Sequence, residues 1–233
     1  MYYGEKFNAV THLIGAILAF AGAILLVVLS ALDGDPWKVL SVSIYGATLV
    51  LLYSASTLYH SLRGRAKDIL RKFDHHSIYL LIAGSYTPFC LVTLRGPWGW
   101  SLFCVVWGLA VLGILQEMIP ARNSRSAEFS TQEAKQHLGR PGMLLDRLRG
   151  EARILSVAIY VVMGWVALVA IVPLLDKLGF AGFAWLAAGG LFYTIGIIFF
   201  ALDTRLRHAH GIWHLFVIAG SAAHFIAILY YVL

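Results

Sequence analysis

Two histidines four residues apart begin the last apolar stretch of the chain, in the segment HGIWH at positions 210–214. On a helix, residues at i and i+4 lie on one face, one turn apart. Helical HExxH motifs use this spacing to offer two imidazoles to one metal ion, although the glutamate of that motif is absent here. The spacing is equally compatible with two interfacial histidines and no metal, so a metal site requires ligands from other segments.

Further polar groups lie near the ends of other apolar stretches. Ser56 and His60 are four residues apart at the end of the second stretch, hence on one helix face, and Asp74 lies at the start of the third. Ionisable side chains at membrane depth are costly and usually pair with one another or line a cavity. Polar groups that reach one depth from several helices therefore predict a shared site.

Three histidines with one open position have the composition of a catalytic zinc site. We therefore predict that His60, His210 and His214 bind zinc, and that the open position holds a water whose pKa the metal lowers to near 7. Asp74 would accept a proton from that water, and Ser56 would hydrogen-bond a substrate carbonyl or the developing oxyanion. The alternative is a buried polar network that fastens three helices together without a metal.

Asp74 and three further histidines can also be explained by structural roles without a catalytic site. Asp74 could cap the third helix, because a carboxylate at a helix N-terminus binds free N–H groups and suits the helix dipole. His75 and His76 point about 100° apart on a helix and cannot both face one cluster, so we expect them to be interfacial anchors. His224 lies about 15 Å deeper than His214 and is expected to have a partner of its own.

The composition is that of a membrane protein. Of 233 residues, 60% are hydrophobic and only 13% are charged, with a mean hydropathy of +0.77, whereas soluble domains are roughly 25% charged. The net charge of +6 could suggest nucleic acid. In a membrane protein, however, basic residues usually mark cytoplasmic loops, so we expect no nucleic-acid partner.

Seven apolar stretches come close to the roughly 20 residues that a helix needs to span a bilayer. Their approximate bounds are 10–32, 39–62, 77–94, 98–119, 154–175, 183–202 and 211–233. Because barrel strands would be half as long and would alternate in polarity, we predict an all-α integral membrane protein with one domain over residues 1–233, a seven-transmembrane-helix bundle. Residues 120–153 are predicted to be the one sizeable loop, between the fourth and fifth spans.

The distribution of basic residues predicts the orientation of this bundle. Of the 18 Lys and Arg residues, all but Lys38, Arg95 and Lys177 lie in the N-terminal segment or in the loops after the second, fourth and sixth spans. Because cytoplasmic loops are enriched in basic residues, the N-terminus is predicted to be cytoplasmic and the C-terminus to lie outside. The candidate site residues then share the cytoplasmic half of the membrane.

The motifs around these residues resemble the haemolysin III proteins, the bacterial branch of the progestin and adipoQ receptor family. The motifs are EKFNAVTHLIGA at the N-terminus, SASTLYH in the second span, FDHHSIYLLIAGSYTPF in the third, MGW in the fifth and HGIWHLFVIAGSAAHF in the seventh. This family also resembles the alkaline ceramidases, within a wider superfamily of membrane hydrolases.

The resemblance implies a multi-pass protein of the bacterial cytoplasmic membrane with a lipid as substrate or ligand. It implies zinc on His60, His210 and His214, with Ser56 and Asp74 beside a zinc-bound water. It leaves the oligomeric state open. The loop at 120–153 is longer than the family's usual connection.

Glu5, Asn8 and His12 fall at i, i+3 and i+7, so they share one face at the start of the first helix. Their segment, EKFNAVTH, is also among the motifs that carry the resemblance. We therefore predict that one of the three hydrogen-bonds a zinc ligand and fixes its orientation, while His12 is not itself a ligand. The alternative is an N-terminal cap with an interfacial histidine.

Three functions are compatible with these observations. The first is a ceramidase-like, zinc-dependent membrane hydrolase that acts on an amide or ester bond of a lipid. The second is a non-enzymatic sensor or regulator of membrane state in which the zinc is structural. The third is cytolysis, which the family name suggests, although a seven-span protein without an export signal is poorly suited to acting on another cell.

Overall fold

The described residues form a helical membrane protein. The computed structural model describes residues 4–118, 142–203 and 205–233, with side chains except in 142–153, and contains no β-strand within these ranges. The helices are α1 (Lys6–Asp33), α2 (Pro36–Ser61), α3 (Arg65–Pro88), α4 (Pro97–Met118), α5 (Gly142–Trp165), α6 (Ile171–Ala201) and α7 (Ala209–Tyr231). A π-helical segment, Phe89–Thr93, continues α3, and a 3-10 helix, Val166–Ala170, joins α5 to α6. The prediction of an all-α protein is confirmed.

Five helical stretches in the described ranges are long and apolar enough to cross a membrane: Lys6–Asp33, Pro36–Ser61, Pro97–Met118, Ile154–Ala201 and Ala209–Tyr231. The fourth of these is 48 residues long, about twice the length of one span. Its backbone leaves helical geometry at Gly179, where φ is 66° and ψ is 174°. α3 with its π-helical continuation is a sixth apolar helix, so the protein is a multi-pass membrane protein.

The outer surface of the bundle is made of large apolar side chains. Ile17, Leu32 and Phe180 are 63%, 80% and 82% exposed, and α1 has only seven buried residues among its 28. Contiguous apolar surface of this extent is unfavourable in water and favourable in lipid. The burial pattern therefore agrees with the composition.

The helices pack in chain order, and α7 returns to contact α1. α2 lies towards the interior, where Tyr45 and Tyr53 are almost completely buried. Tyr45 donates a hydrogen bond to the backbone carbonyl of Ser221 at 3.2 Å, and Tyr53 donates to the Ser221 hydroxyl at 2.8 Å. Because a buried hydroxyl without a partner is costly, these bonds fix α2 against α7.

The start of α3 differs from the sequence prediction. The helix begins at Arg65, after Gly64 in the left-handed region with φ of 65°, a conformation that favours glycine. Asp74 is therefore well inside α3, and the interpretation of Asp74 as a helix cap is wrong. Residues 65–76, most of which are polar, extend the helix beyond the apolar stretch, and hydropathy cannot detect such an extension.

The predicted loop at 120–153 falls largely on residues 119–141, which lie outside the described residues. Residues 142–153 belong to α5, so this helix begins ahead of its apolar stretch. His137 also lies outside the described ranges.

Gly113 on α4 allows a close approach to Tyr79 on α3. A Cβ atom at Gly113 would lie less than 3.0 Å from three atoms of the Tyr79 ring, whereas one at Gly108 on the same helix would meet nothing within 4 Å. We expect Gly113→Val to lower the free energy of unfolding by about 1–3 kcal/mol through overpacking. Thermal unfolding of purified protein in detergent measures this effect. Gly108→Val is the control, and an equal loss of stability in both variants would contradict the packing argument.

Candidate metal centre

Three histidines meet where α2 ends and α7 begins. His60 lies in the last turn of α2, and His210 and His214 lie in the first two turns of α7. One potential ligand atom from each lies within 4.8 Å of the other two. The ring centroids are 5.0 Å apart for His60 and His210, 5.1 Å for His60 and His214, and 4.7 Å for His210 and His214. The structure therefore brings together the three histidines that the sequence singled out.

The Nδ1 atom of each histidine faces an oxygen atom from a different part of the chain. His60 Nδ1 is 2.6 Å from Glu5 Oε2, and His214 Nδ1 is 3.2 Å from the backbone carbonyl oxygen of Asn8. His210 Nδ1 is 3.5 Å from Asp203 Oδ2. Because these oxygens accept hydrogen bonds, they favour the tautomer that carries its proton on Nδ1.

The Nε2 atoms of the same three histidines are buried and have no hydrogen-bond partner. With the proton on Nδ1, each Nε2 atom presents a lone pair, which is the form of imidazole that binds metals. Unpartnered buried nitrogens are costly unless something binds them. Three clustered histidines, each with an unpartnered Nε2 atom and an oxygen at Nδ1, fit a divalent metal that prefers nitrogen ligands.

Glu5, directly before α1, links the start of that helix to the end of α2 and to the start of α3. Its Oε2 atom accepts from His60, and its Oε1 atom is 2.9 Å from Lys67 Nζ at the start of α3. Asn8 Nδ2 donates to Glu5 Oε2 at 3.0 Å. Burial would raise the pKa of the Glu5 carboxyl, but the hydrogen bonds from His60, Lys67 and Asn8 outweigh burial and lower the pKa to about 2. Glu5 is therefore ionised at neutral pH and suited to orient His60.

The first turns of α1 also contact His214. The Thr11 hydroxyl lies 3.2 Å from His214 Nδ1, beside the Asn8 carbonyl. The His12 ring stacks on the His214 ring, with centroids 3.5 Å apart and planes 14° from parallel. All three residues predicted from the first helix thus reach the cluster, but by different contacts. Glu5 uses its carboxylate, Asn8 its backbone carbonyl and His12 its stacked ring.

Asp74 and Ser56 lie beside the three histidines. Asp74 is only 6% exposed, and Ser56 is fully buried. His60 and His210 lie close enough to the Asp74 carboxyl group to interact with its charge. The Ser56 hydroxyl faces this carboxyl group, although no hydrogen bond of standard geometry joins them. A carboxylate and a hydroxyl therefore stand next to the three imidazoles.

Asp203 is one of two site residues that the sequence interpretation missed among the described residues. It lies in the short turn between α6 and α7, seven residues before His210. The available signal was a carboxylate in a short polar turn next to a histidine-rich helix start. Thr11 was missed as well, because a threonine inside an apolar helix carries no distinctive spacing.

The remaining histidines of α3 and α7 do not join the cluster. His75 Nδ1 is 2.6 Å from the backbone carbonyl oxygen of Arg71, and His76 Nε2 is 3.5 Å from Glu117 Oε2 on α4. His224 Nε2 donates to the backbone carbonyl of Leu186 at 3.2 Å. His224 thus has the partner of its own that its depth in the membrane predicts.

An apolar cavity of about 100 Å³ adjoins the cluster, against roughly 10–15 Å³ for one water by a comparable measure. His12 and Asp74 line it, together with apolar and aromatic side chains that include Phe200 and Trp213. A second cavity of about 60 Å³ shares part of this lining and extends as far as Leu94. The shared residues are Ser85, Tyr86, Gly164, Trp165, Gly190 and His224. The two cavities therefore adjoin one another along a mainly apolar lining.

Comparison with known proteins identifies bacterial relatives of this chain. Residues 2–225 match the family described as haemolysin-III related. The chain is 40% identical over 230 residues to Hemolysin-3 of Bacillus cereus, and the alignment covers 98% of this chain and 92% of that protein. It is 38% identical over 228 residues to the Hemolysin-3 homolog of Bacillus subtilis (strain 168), covering 97% and 93% of the two chains.

A more distant relative comes from animals. The chain is 27% identical over 233 residues to the human Monocyte to macrophage differentiation factor, covering 97% of this chain and 83% of that protein. The family match covers nearly all residues, and the bacterial relatives match at 38–40% identity over almost their whole length. These two findings establish the family of this chain. The chain belongs to the haemolysin III family.

Proposed function

We propose that this chain is a zinc-dependent membrane hydrolase that cleaves an amide or ester bond of a lipid. One observation carries the proposal: three clustered histidines, each with an unpartnered ring nitrogen, lie near a buried carboxyl group that lines an apolar cavity. A structural metal site needs no cavity beside it, and a lipid-binding cavity needs no metal. Their combination favours chemistry on a lipid.

His60, His210 and His214 would hold the zinc ion through Nε2. Three histidines leave a fourth position open, which distinguishes catalytic from structural zinc sites. Zinc in such a site acts as a Lewis acid and lowers the pKa of a coordinated water to near 7. Glu5 and Asp203 would keep the Nδ1 protons of His60 and His210 in place, as outer carboxylates do in other zinc sites.

Asp74 and Ser56 would carry out the proton transfer and the stabilisation of charge. Asp74 accepts a proton from the attacking water as the new carbon–oxygen bond forms, and it returns that proton to the leaving amine or alcohol. The Ser56 hydroxyl donates a hydrogen bond to the carbonyl oxygen as negative charge develops there. The products are a carboxylic acid and an amine or alcohol.

The apolar cavity is the basis for proposing a lipid substrate. Aliphatic and aromatic side chains dominate its lining beyond His12 and Asp74, and such surfaces favour hydrocarbon over polar ligands. A long acyl chain in this space would place its polar end near Asp74. The substrate class is therefore an acyl lipid whose scissile bond lies at the start of the chain.

The proposed topology has seven spans. The 48-residue stretch Ile154–Ala201 becomes two spans when it is divided at Gly179, and α3 with its π-helical continuation adds another to the five. The distribution of basic residues supports an orientation with the N-terminus in the cytoplasm, the C-terminus outside and the histidine cluster in the cytoplasmic half of the membrane. We assign the protein to the cytoplasmic membrane of a bacterium on the basis of its Bacillus relatives.

A non-enzymatic regulator with a structural metal is the second candidate. The bonds of Glu5 to His60 and Lys67 favour it, because they join a potential metal ligand to the start of α3. A metal held this way would stabilise the arrangement of helices whether or not it had a catalytic role. The names of the Bacillus relatives raise cytolysis as a third possibility, and lysis of red cells by purified protein without detergent would establish it.

The metal assignment is tested by elemental analysis of purified protein. We expect about one zinc per chain, and we expect the double change His210→Ala/His214→Ala to remove it, because a single imidazole binds zinc weakly. His208→Asn is the matched control, since His208 is exposed and has a φ of 64°, a value that asparagine tolerates. Zinc retained in full by the double variant would refute the assignment.

Asp74→Asn separates the hydrolase from the regulator. With the proton acceptor removed, we expect hydrolysis of a fluorescent long-chain acyl amide or ester to fall roughly 10²- to 10⁴-fold while zinc content is unchanged. Asp68→Asn on the same helix is the control, because Asp68 is exposed. If wild type and Asp74→Asn hydrolyse these probes at the same rate, Asp74 is not the proton acceptor.

Glu5→Ala tests the orientation of His60. We expect zinc affinity, measured by competition with a chelator, to fall roughly 10- to 100-fold, because His60 loses the acceptor of its Nδ1 proton. Asn8→Ala is expected to have a smaller effect, because the Asn8 side chain contacts Glu5 whereas His214 contacts the Asn8 backbone. A larger loss in Asn8→Ala than in Glu5→Ala would contradict this division of roles.

A further inference from the structure

His12 is the one histidine in the described part of the chain whose two ring nitrogens are both buried and without a hydrogen-bond partner. It lies in the second turn of α1 and is 2% exposed. One ring face stacks on His214, and Tyr53 approaches edge-on with ring centroids 5.1 Å apart. These contacts hold the ring in position but satisfy neither nitrogen atom.

The position of His12 relative to the cavity differs from that of the three clustered histidines. His12 and Asp74 line the apolar cavity, whereas His60, His210 and His214 do not. His12 is also outside the group of histidines whose ligand atoms lie within 4.8 Å of one another. The ring therefore stands between the cluster and the cavity, where it would meet a ligand.

Charge narrows the kind of ligand that these two residues would accept. The described residues that line the cavity include no lysine and no arginine, so a carboxylate or phosphate group of a ligand would be buried there without a cationic side chain as its partner. A carboxylate or phosphate group is therefore unfavourable at this end. A neutral carbonyl group is favourable, because an imidazole in either protonation state has at least one N–H donor, and both ring nitrogens of His12 are buried without a partner.

We propose that His12 donates a hydrogen bond to the carbonyl oxygen of a neutral acyl lipid in the cavity, and so selects acyl lipids over plain hydrocarbon and over free fatty acid. This inference deepens the proposed function, since it names the residue that holds the polar end of the substrate. It concerns binding alone and requires no turnover.

Binding of two probes of equal chain length tests the proposal. 2-Heptadecanone has a carbonyl group but no bond that a hydrolase can cleave, and heptadecane lacks the carbonyl. Displacement of a fluorescent long-chain probe from the detergent-solubilised full chain gives the affinity for each. We expect wild type to bind the ketone about tenfold more tightly than the alkane, the size expected for one buried hydrogen bond.

Variants of His12 assign this preference to its side chain. His12→Phe keeps a ring that can stack on His214 but has no N–H, so the ratio of the two affinities should fall to about one, with alkane affinity unchanged. His12→Gln keeps a donor and should retain part of the preference. Ser30→Ala is the matched control, because Ser30 is buried on the same helix with an unpartnered hydroxyl and lies outside the lining of both cavities.

Three results would overturn the proposal: no preference for the ketone in wild type, an unchanged preference in His12→Phe, or tighter binding of heptadecanoate than of the ketone. Zinc is measured in each variant, and its loss from both His12→Phe and His12→Gln would make His12 a metal ligand instead. His12→Leu replaces His12→Phe if the latter does not fold. A wild type that binds the ketone but hydrolyses no lipid would refute the hydrolase and leave this inference standing.

Discussion

The arrangement of this site depends on the two nitrogen atoms of an imidazole. Where water is scarce, each of them needs a hydrogen-bond partner or a metal ion. For three histidines the chain meets this requirement by giving Nδ1 an oxygen partner. The partners come from the segment before α1, from the first turn of α1 and from the turn before α7. Once the Nδ1 atoms are engaged, the Nε2 atoms are free to face one another. The oxygens therefore determine which nitrogen of each ring remains available to a metal.

This requirement explains why the site lies at one end of the bundle. Carboxylates such as Glu5 and Asp203 are expensive inside a bilayer but tolerated at its edge, so histidines that need them must lie close to the helix ends. His60 is in the last turn of α2, and His210 is in the first turn of α7. Lys67 completes the charge balance at Glu5. Deeper in the membrane, His224 uses a backbone carbonyl instead, because a helix supplies carbonyls at any depth.

The sequence predicts much of this arrangement. Long apolar stretches predict helices, and i, i+4 spacing places His210 with His214 and Ser56 with His60. Hydropathy does not place the start of α3, because the first turns of this helix are rich in polar residues and hydropathy detects only apolar stretches. Asp203 was not predicted, because its contact with His210 depends on how the turn before α7 folds back. The stacking of His12 on His214 joins residues about 200 positions apart, and no local pattern carries that information.

The π-helical segment Phe89–Thr93 has a consequence for the shape of the space that these helices enclose. In an uninterrupted α-helix, positions nine residues apart point in opposite directions, because nine residues make about two and a half turns. Ser85 and Leu94 are nine residues apart, yet both line the second cavity. A π-helical turn contains more residues, so it slows the rotation of side chains around the axis. The segment thus brings Ser85 and Leu94 closer to one side of the helix than regular α-helical geometry would.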